Sequence, residues 1–205
     1  MIVIIILFII LIIAIFWLWF FRKSVIISWW NRMILSECNN QDKSCINGIT
    51  SFKNIWDTDH LSVKQLHSML LLNREQILKE IDDNKSVDIN ILPTIKEISK
   101  LFPDMKIYLK HYYPGDTIAE QNDISKIYYR YHFGIRVPSN DIGLRIDGYD
   151  VKWEENEGYV WDNTLRYSIW NDSAEPRTIL FADVKRELTG WRKYGSYIIQ
   201  SLINL

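Results

Sequence analysis

The pattern of apolar and polar positions divides the chain into three parts. Residues 2–21 are apolar throughout and carry no charge, with the sequence IVIIILFIILIIAIFWLWFF. About 20 apolar residues in a helix are enough to cross the hydrocarbon core of a bilayer, so this run predicts a single transmembrane helix. Residues 22–60 have a mixed composition and predict a juxtamembrane linker, and residues 61–205 predict one globular domain.

The flanks of the apolar run argue against a cleaved signal peptide. Such a peptide has a basic segment before a shorter apolar stretch and a small-residue cleavage site after it, and this run has none of these features. Trp17 and Trp19, followed by Arg22 and Lys23, have the order of an interfacial aromatic belt and a stop to translocation. The next segment, residues 24–32, fits either a helix along the lipid headgroups or a plain helical extension.

The side of the membrane on which the domain lies depends on few residues. Three basic residues follow the apolar run, and the positive-inside rule then favours a cytoplasmic domain over a lumenal one. They are Arg22, Lys23 and Arg32. Two features favour the lumenal side: Cys38 and Cys45 are close enough in sequence for a small disulfide, and Asn84 and Asn171 begin Asn-x-Ser sequons.

The domain begins with helical patterns and continues with strands. Apolar residues at helical spacing predict one or two helices over roughly 62–82, and two prolines bracket a short helix predicted at 93–101. From residue 105, short runs rich in β-branched and aromatic residues alternate with turn residues, as is typical of an antiparallel sandwich or barrel. The runs are MKIYLKHYY, IYYRYHFGIRV, IGLRI, YDVKW, YVW, RYSIW and TILFADV. Asp147 and Gly148 predict a tight hairpin turn, whereas the last ten residues fit a helix or a strand.

Charge and composition exclude some classes of function. The 24 basic and 25 acidic residues give a net charge of −1, and no block of like charge stands out, so we expect no nucleic-acid partner. Cys38 and Cys45 have neither the spacing nor the neighbouring histidines of a zinc site. Most of the 9 Trp and 11 Tyr residues lie at strand positions where they would pack a core.

A series of short motifs runs from Pro114 to Arg186. They are PGD at 114–116, YRYHFGI at 129–135, VP at 137–138, IDG at 146–148, Trp153, EG at 157–158, WDNT at 161–164, WN at 170–171, EPR at 175–177 and LFADV at 180–184. This order resembles the catalytic domain of the aspartyl/asparaginyl β-hydroxylases and the related lipid A hydroxylases. The resemblance implies a mainly β fold, a double-stranded β-helix of the jelly-roll or cupin type, here preceded by helices. In active members of that family its open end holds Fe(II) and 2-oxoglutarate.

The resemblance also implies that the iron-binding residues have been replaced. The family's first iron-binding histidine falls on Gln121, and its second falls on Tyr167. Asp123 is what remains of a possible site with two histidines and one carboxylate, which is the usual set for non-haem Fe(II). His111, on the neighbouring strand, is a candidate to replace a lost ligand from a shifted position. His60 and His67, in the helical lead-in, are predicted to be surface residues.

The side of the site that binds an anion is kept. By the resemblance, Arg177 matches the residue that clamps the distal carboxylate of 2-oxoglutarate, and Arg130 and His132 match the pair near its other carboxylate. Lys110 falls where aspartyl hydroxylases carry a serine that helps hold the distal carboxylate. Both arginines could instead be structural, paired with acidic neighbours, and His132 could be a hydrogen-bonded core residue. The acidic neighbours in question are Asp162 and Asp183.

Three functions are compatible with these residues. The first is a membrane-anchored, catalytically degenerate domain that binds a small dicarboxylate or a protein partner and acts as a binding or scaffold module. The second is a working Fe(II)/2-oxoglutarate hydroxylase of protein Asp or Asn side chains or of lipid acyl chains, with an unconventional metal site. The third is a structural component of a membrane assembly. We favour the first, because Gln121 and Tyr167 replace both iron-binding histidines.

Overall fold

The computed structural model describes residues 2–36, 49–51, 61–123, 127–138, 141–186 and 190–204, with some side chains omitted in the helices at the two ends. The chain divides into two compact units. One comprises Met1–Cys38 with Leu188–Leu205, and the other comprises Asn39–Glu187. The division therefore falls within the predicted linker, residues 22–60, and within the predicted domain, residues 61–205.

Two helices are described in the first unit. Helix α1 is Ile2–Ser36, and a C-terminal helix, labelled α4 by its place in the chain, is Gly190–Asn204. The tail, which fitted either a helix or a strand, is therefore a helix. Within the described part of the chain, no helix has both the length and the apolar character required to cross a membrane. The transmembrane helix over residues 2–21 stays a prediction.

The second unit contains two antiparallel sheets and two helices in its described part. Its helices are α2 (Leu61–Asn84) and α3 (Pro93–Leu101). Its strands are β1 (Ile49–Ser51), β2 (Met105–Tyr112), β3 (Thr117–Gln121), β4 (Tyr128–Arg136), β5 (Ile142–Ile146), β6 (Tyr149–Val151), β7 (Gly158–Asp162), β8 (Tyr167–Asn171) and β9 (Arg177–Lys185). The larger sheet has the order β1-β7-β4-β9-β2, and the smaller has the order β3-β8-β5-β6.

The strand pairs are nested within one another along the chain. Strand β2 pairs with β9, β3 with β8, β4 with β7 and β5 with β6, and successive pairs alternate between the two sheets. A long hairpin wound in this way through two sheets is a double-stranded β-helix, the jelly-roll arrangement. The predicted mainly β fold is confirmed.

The larger sheet is covered on both faces, and this decides which side chains can form a site. Alternate residues of its strands pack against α2 and α3, as Leu109, Tyr131 and Leu180 do. The intervening residues point toward the smaller sheet, where Trp161 and Ile179 join a second core. Since side chains alternate along a strand, even-numbered residues of β2 and β4 and odd-numbered residues of β9 face the space between the sheets.

Most predicted elements are present, but two strands were missed: β1, which lies in the predicted linker, and β3. Helix α3 has the bounds that the sequence predicts, α2 is one continuous helix, and positive φ angles at Asp147 (48°) and Gly148 (83°) form the predicted tight turn. Strand β3 was missed because four of its five side chains are exposed, which leaves no alternation of apolar and polar residues. It carries Gln121, one of the predicted site residues.

The prediction that His67 is a surface residue is wrong. His67 is only 5% exposed, and its Nδ1 lies 2.9 Å from the hydroxyl of Tyr131 across the interface between α2 and the larger sheet. Its edge also contacts the ring of Phe133 at a centroid distance of 5.4 Å. Burial lowers the pKa of His67 to about 4, so the ring is neutral near pH 7. His60 lies outside the described residues.

We expect His67 to make the fold sensitive to acid. The unfolded chain binds a proton at His67 near the ordinary pKa of 6.5, whereas burial lowers the pKa of the folded chain to about 4. The unfolded state therefore binds more protons between these values, and the free energy of unfolding should fall by about 3 kcal/mol as the pH falls through this window. Denaturant unfolding of the full chain in detergent at several pH values measures it. A His67→Gln variant should lack this contribution, and parallel pH curves for the two proteins would contradict the prediction.

Candidate functional site

A cavity of about 120 Å³ lies between the two sheets and is large enough for several water-sized groups. Its lining residues are Lys110, Tyr112, Ile118, Gln121, Arg130, His132, Tyr167, Ile169 and Phe181. Five of the seven site residues named from the sequence are in this list. The other two, Asp123 and Arg177, lie next to it: Asp123 contacts Arg130, and Arg177 contacts Tyr112.

Gln121 and Tyr167 contact each other in the cavity wall. They are register partners in the pairing of β3 with β8. The side-chain amide of Gln121 donates a hydrogen bond of 2.9 Å to the hydroxyl oxygen of Tyr167, and Nη1 of Arg130 donates another of 3.1 Å to the same atom. The side chains at the two positions predicted to match iron-binding histidines are therefore hydrogen-bonded to each other, and Tyr167 also to Arg130.

Arg130 also binds two carboxylates. Its Nε and Nη2 donate to Oδ1 of Asp183 at 3.0 and 2.8 Å, and Nη2 also donates to Oδ2 of Asp123 at 3.0 Å. Asn163 donates a further 3.0 Å hydrogen bond to the same oxygen of Asp123. These bonds correspond to the structural interpretation of Arg130, with Asp183 as its partner. They also use Oδ2 of Asp123 twice.

Arg177 is buried without a carboxylate. Its guanidinium carbon lies 4.8 Å from the ring centroid of Tyr112 and 4.9 Å from that of Trp153. None of its three side-chain nitrogens has a hydrogen-bond partner among the described residues, although the residue is 0% exposed. Burial lowers the pKa of Arg177 to about 10, so it is still charged at pH 7. A buried guanidinium without an acceptor is costly, and its donors are free to bind an anion or water.

Lys110 and His132 complete the polar part of the cavity. Lys110 is exposed, its Nζ lies 4.9 Å from the ring centroid of Tyr112, and no carboxylate in the described part of the chain pairs with it. His132 is buried against the edge of Trp161, at a centroid distance of 4.4 Å. Burial, together with the charges of Arg130 and Arg177, holds the pKa of His132 well below its ordinary value. The positive charge that faces the cavity without a counter-ion is therefore that of Lys110.

His111 does not reach this cavity. As an odd-numbered residue of β2 it points to the opposite face of the sheet from Lys110, and its Nδ1 lies 2.8 Å from the hydroxyl of Thr178. In the part of the chain that the structure describes, no three His, Cys, Asp or Glu side chains are placed to hold a metal ion. The structure gives no support to His111 as a replacement ligand.

Comparison with known protein families identifies the family of this chain. The model of the aspartyl/asparaginyl β-hydroxylase family matches residues 30–187, which is more than half of the chain. The chain belongs to the aspartyl/asparaginyl β-hydroxylase family. The resemblance found in the sequence is thereby confirmed.

One curated relative of this β-hydroxylase-family chain is an ornithine lipid ester-linked acyl 2-hydroxylase from Rhizobium tropici. The two are 27% identical over 75 residues, which is 36% of this chain and 27% of the relative, so the match spans about a quarter of the relative's length.

Similar solved structures include cupins. The cupin domain of Cnp3 from Schizosaccharomyces pombe has 13% identity and a TM-score of 0.37, covering 45% of this chain and 64% of that one. A cupin protein from Bacteroides fragilis has 17% identity and a TM-score of 0.35, covering 42% and 71%.

In this member of the β-hydroxylase family, the described residues at the predicted metal positions do not form the donor set typical of non-haem Fe(II). Non-haem Fe(II) sites take two imidazoles and a carboxylate, whereas the positions predicted for the imidazoles hold the amide of Gln121 and the phenol of Tyr167. The carboxylate of Asp123 is already used by Arg130 and Asn163. The residues present therefore do not fit iron.

Sequence reasoning missed the aromatic part of the site. Tyr112 and Phe181 line the cavity, and Trp153 stacks on Arg177, but none of the three was predicted as a site residue. The alternation along β2 and β9 could have identified Tyr112 and Phe181, since they share a face with Lys110 and Arg177. Trp153 follows β6 outside any strand, and no local pattern places it beside Arg177.

Proposed function

We propose that this domain is anchored to a membrane by α1, binds a small carboxylate anion in the cavity between its sheets, and acts as a binding or scaffold module without iron chemistry. The observation that carries the proposal is the hydrogen bond between Gln121 and Tyr167. These two residues stand at the family's iron-binding positions and satisfy each other. The alternative is a working hydroxylase with an unconventional metal site, which family membership supports and the donor set opposes.

Two cations support binding of an anion. Lys110 faces the cavity without a carboxylate partner in the described chain, and Arg177 is buried behind Tyr112 with its donors unused. Arg130 contributes little, because Asp123 and Asp183 already balance its charge. Charge-assisted hydrogen bonds from an ammonium and a guanidinium are the strongest that a protein offers to a carboxylate. The ligand class is a small mono- or dicarboxylate, of which 2-oxoglutarate is the one implied by the family.

The apolar run supports the anchor. The side chains of residues 5–17 are exposed, so no described part of the chain covers them. A continuous apolar surface of this length is unfavourable in water and matches the hydrocarbon core of a bilayer. The match to a relative named for a lipid acyl chain makes a carboxylate carried by a lipid one ligand to test.

The buried state of Asn171 supports the cytoplasmic orientation. Asn171 is 0% exposed, and its side-chain amide donates to the carbonyl oxygens of Tyr112 at 2.7 Å and Glu175 at 3.0 Å. A glycan on that amide is incompatible with both hydrogen bonds, so this sequon no longer favours a lumenal domain. Of the other lumenal arguments, the Asn84 sequon is exposed and still stands, and Cys38 and Cys45 lie outside the described residues.

Isothermal calorimetry with 2-oxoglutarate or succinate, on the metal-free full chain in nanodiscs, tests the anion site. We expect saturable binding by the natural chain, and binding at least about tenfold weaker in Lys110→Met and Arg177→Met variants, which is about 1.4 kcal/mol or more. Lys106→Met is the matched control, since Lys106 lies on the same face of β2 but does not line the cavity. Absence of binding by the natural chain would contradict the anion site and favour a structural role.

A further inference from the structure

Helix α4 has an exposed aromatic stripe. Trp191, Tyr194 and Ile198 are 50, 72 and 64% exposed, and their spacing of three and four residues places them on one face of the helix. Ser196 and Ile199, on another face, are buried. One face of this helix is already buried, so a second, exposed apolar face indicates that the helix also contacts another apolar surface.

Packing fixes α4 against α1 just beyond the apolar run. The ring of Trp30 is 4% exposed and lies edge-on to Trp191 at a centroid distance of 5.6 Å. A Cβ on Gly195 would lie 2.0 Å from the Trp30 ring, so only glycine permits this close approach. The neighbouring Trp29 remains 56% exposed. The aromatic stripe is therefore held next to the segment that leaves the proposed membrane span.

The charged side chains of α1 and α4 are all basic. Residues 2–36 and 190–204 contain basic residues and no Asp or Glu. The basic residues are Arg22, Lys23, Arg32, Arg192 and Lys193. Anionic headgroups attract Lys and Arg near the bilayer surface, and Trp and Tyr rings prefer the same depth. Aromatic rings together with basic residues match the surface of an anionic bilayer.

We propose that α4 is an interfacial helix that lies against the headgroups of an anionic membrane, with Trp191, Tyr194 and Ile198 turned toward the lipid. The proposal rests on the proposed membrane anchor and goes beyond it. The residues that follow the hydroxylase-like domain would then contact the same membrane surface as α1, so the domain would be attached to the bilayer at both ends.

Depth-dependent fluorescence quenching tests this proposal in the full chain. A single cysteine is introduced by Tyr194→Cys, Ile10→Cys or Tyr149→Cys after Cys38 and Cys45 are replaced by serine, and is labelled with an environment-sensitive dye. Vesicles contain phosphatidylcholine and phosphatidylglycerol with spin-labelled lipids that quench either near the headgroups or deep in the acyl chains. The probe at position 10 reports the anchor, and the probe at position 149, the exposed first residue of β6, is a control in the other unit.

The possible outcomes distinguish the proposed interfacial helix from the proposed membrane anchor. We expect the probe at position 194 to show a blue-shifted emission, loss of quenching by aqueous iodide and stronger quenching by the shallow lipid than by the deep one. If it is quenched by iodide like the probe at 149 while the probe at 10 is quenched by the deep lipid, the anchor stands and the interfacial helix is wrong. Shielding of position 194 from both iodide and lipid would mean that protein covers α4, which also overturns the proposal. A probe at 10 that no lipid quenches would overturn the anchor itself.

A charge variant tests the anionic headgroups separately. In an Arg192→Gln/Lys193→Gln double variant, shallow quenching at position 194 should rise less with phosphatidylglycerol than in the natural chain, because Arg22, Lys23 and Arg32 remain. An equal rise in the two proteins would contradict the role of these two residues.

Discussion

A Gln121→His/Tyr167→His double variant is expected to bind Fe(II) or Mn(II) with micromolar affinity, whereas the natural chain shows no saturable binding. The two positions are register partners, and their side chains already meet at 2.9 Å, so two imidazoles placed there would be near enough to share one ion. Imidazole suits first-row transition metals far better than an amide or a phenol does. Calorimetry of the full chain, with and without 2-oxoglutarate, measures the difference.

The control for this variant separates the loss of the Gln121–Tyr167 bond from the gain of imidazoles. A Gln121→Asn/Tyr167→Phe chain loses the bond and gains no ligand, so it should remain unable to bind metal. Micromolar binding by the natural chain, or iron-dependent conversion of 2-oxoglutarate to succinate, would contradict the degenerate site and favour the working hydroxylase. His132 in the cavity and Asp123 beside it would then be the first residues to examine as ligands.

An Asp162→Asn variant is expected to lose about 3–5 kcal/mol of unfolding free energy, because it leaves the charge of Arg186 buried without a counter-ion. Oδ2 of Asp162 lies 2.8 Å from Nη2 of Arg186, with the two side chains 2% and 3% exposed. No nitrogen of Arg186 makes a well-directed hydrogen bond within the described residues, and its guanidinium lies 3.9 Å from the ring centroid of Tyr129. The carboxylate also anchors the next turn, since Oδ1 accepts from the backbone and hydroxyl of Thr164.

Denaturant unfolding of the full chain, followed by tryptophan fluorescence, measures that loss. Asp150→Asn is the matched control, since Asp150 forms an ion pair of 2.6 Å with Arg145 in which both side chains are largely exposed. Solvent screens such a pair, so its removal should leave the midpoint of unfolding unchanged. Equal effects of the two substitutions would show that burial of the Asp162–Arg186 pair does not matter.

Two separate signals in the sequence predicted the fold. Alternating β-branched and aromatic residues predict the strands locally, and the ordered motifs of the β-hydroxylase family predict how they wind. Gln121, Tyr167, Arg130, His132 and Lys110 were placed by the same motifs and do line one cavity. The local strand pattern failed at β3. This strand lies exposed at the edge of the smaller sheet, so its residues do not alternate between apolar and polar.

The electrostatic partners in the site could not be predicted from the sequence. Asp162 and Asp183 were the candidate partners of Arg130 and Arg177, but Asp183 pairs with Arg130, Asp162 pairs with Arg186, and strand register decides this. Likewise, His67 has the spacing of a surface residue on an isolated helix, but the side of α2 that packs on the larger sheet places it beside Tyr131. The ion pairs of the site and the burial of His67 both depend on contacts between residues that are far apart in the chain. A local sequence pattern does not predict such contacts.

The nested strand pairing has a consequence for folding. Strand β9 lies between β4 and β2 in the larger sheet, yet it is the last described strand to be synthesised. Met105, at the start of β2, therefore cannot pair until its register partner Val184 has been synthesised. Loops that close over such long separations make folding slow, on the order of milliseconds to seconds. During translation, β2 and β4 present open edges until β9 emerges, and open edges recruit other chains. A chain that stops before residue 177 should therefore aggregate rather than form a partial sheet.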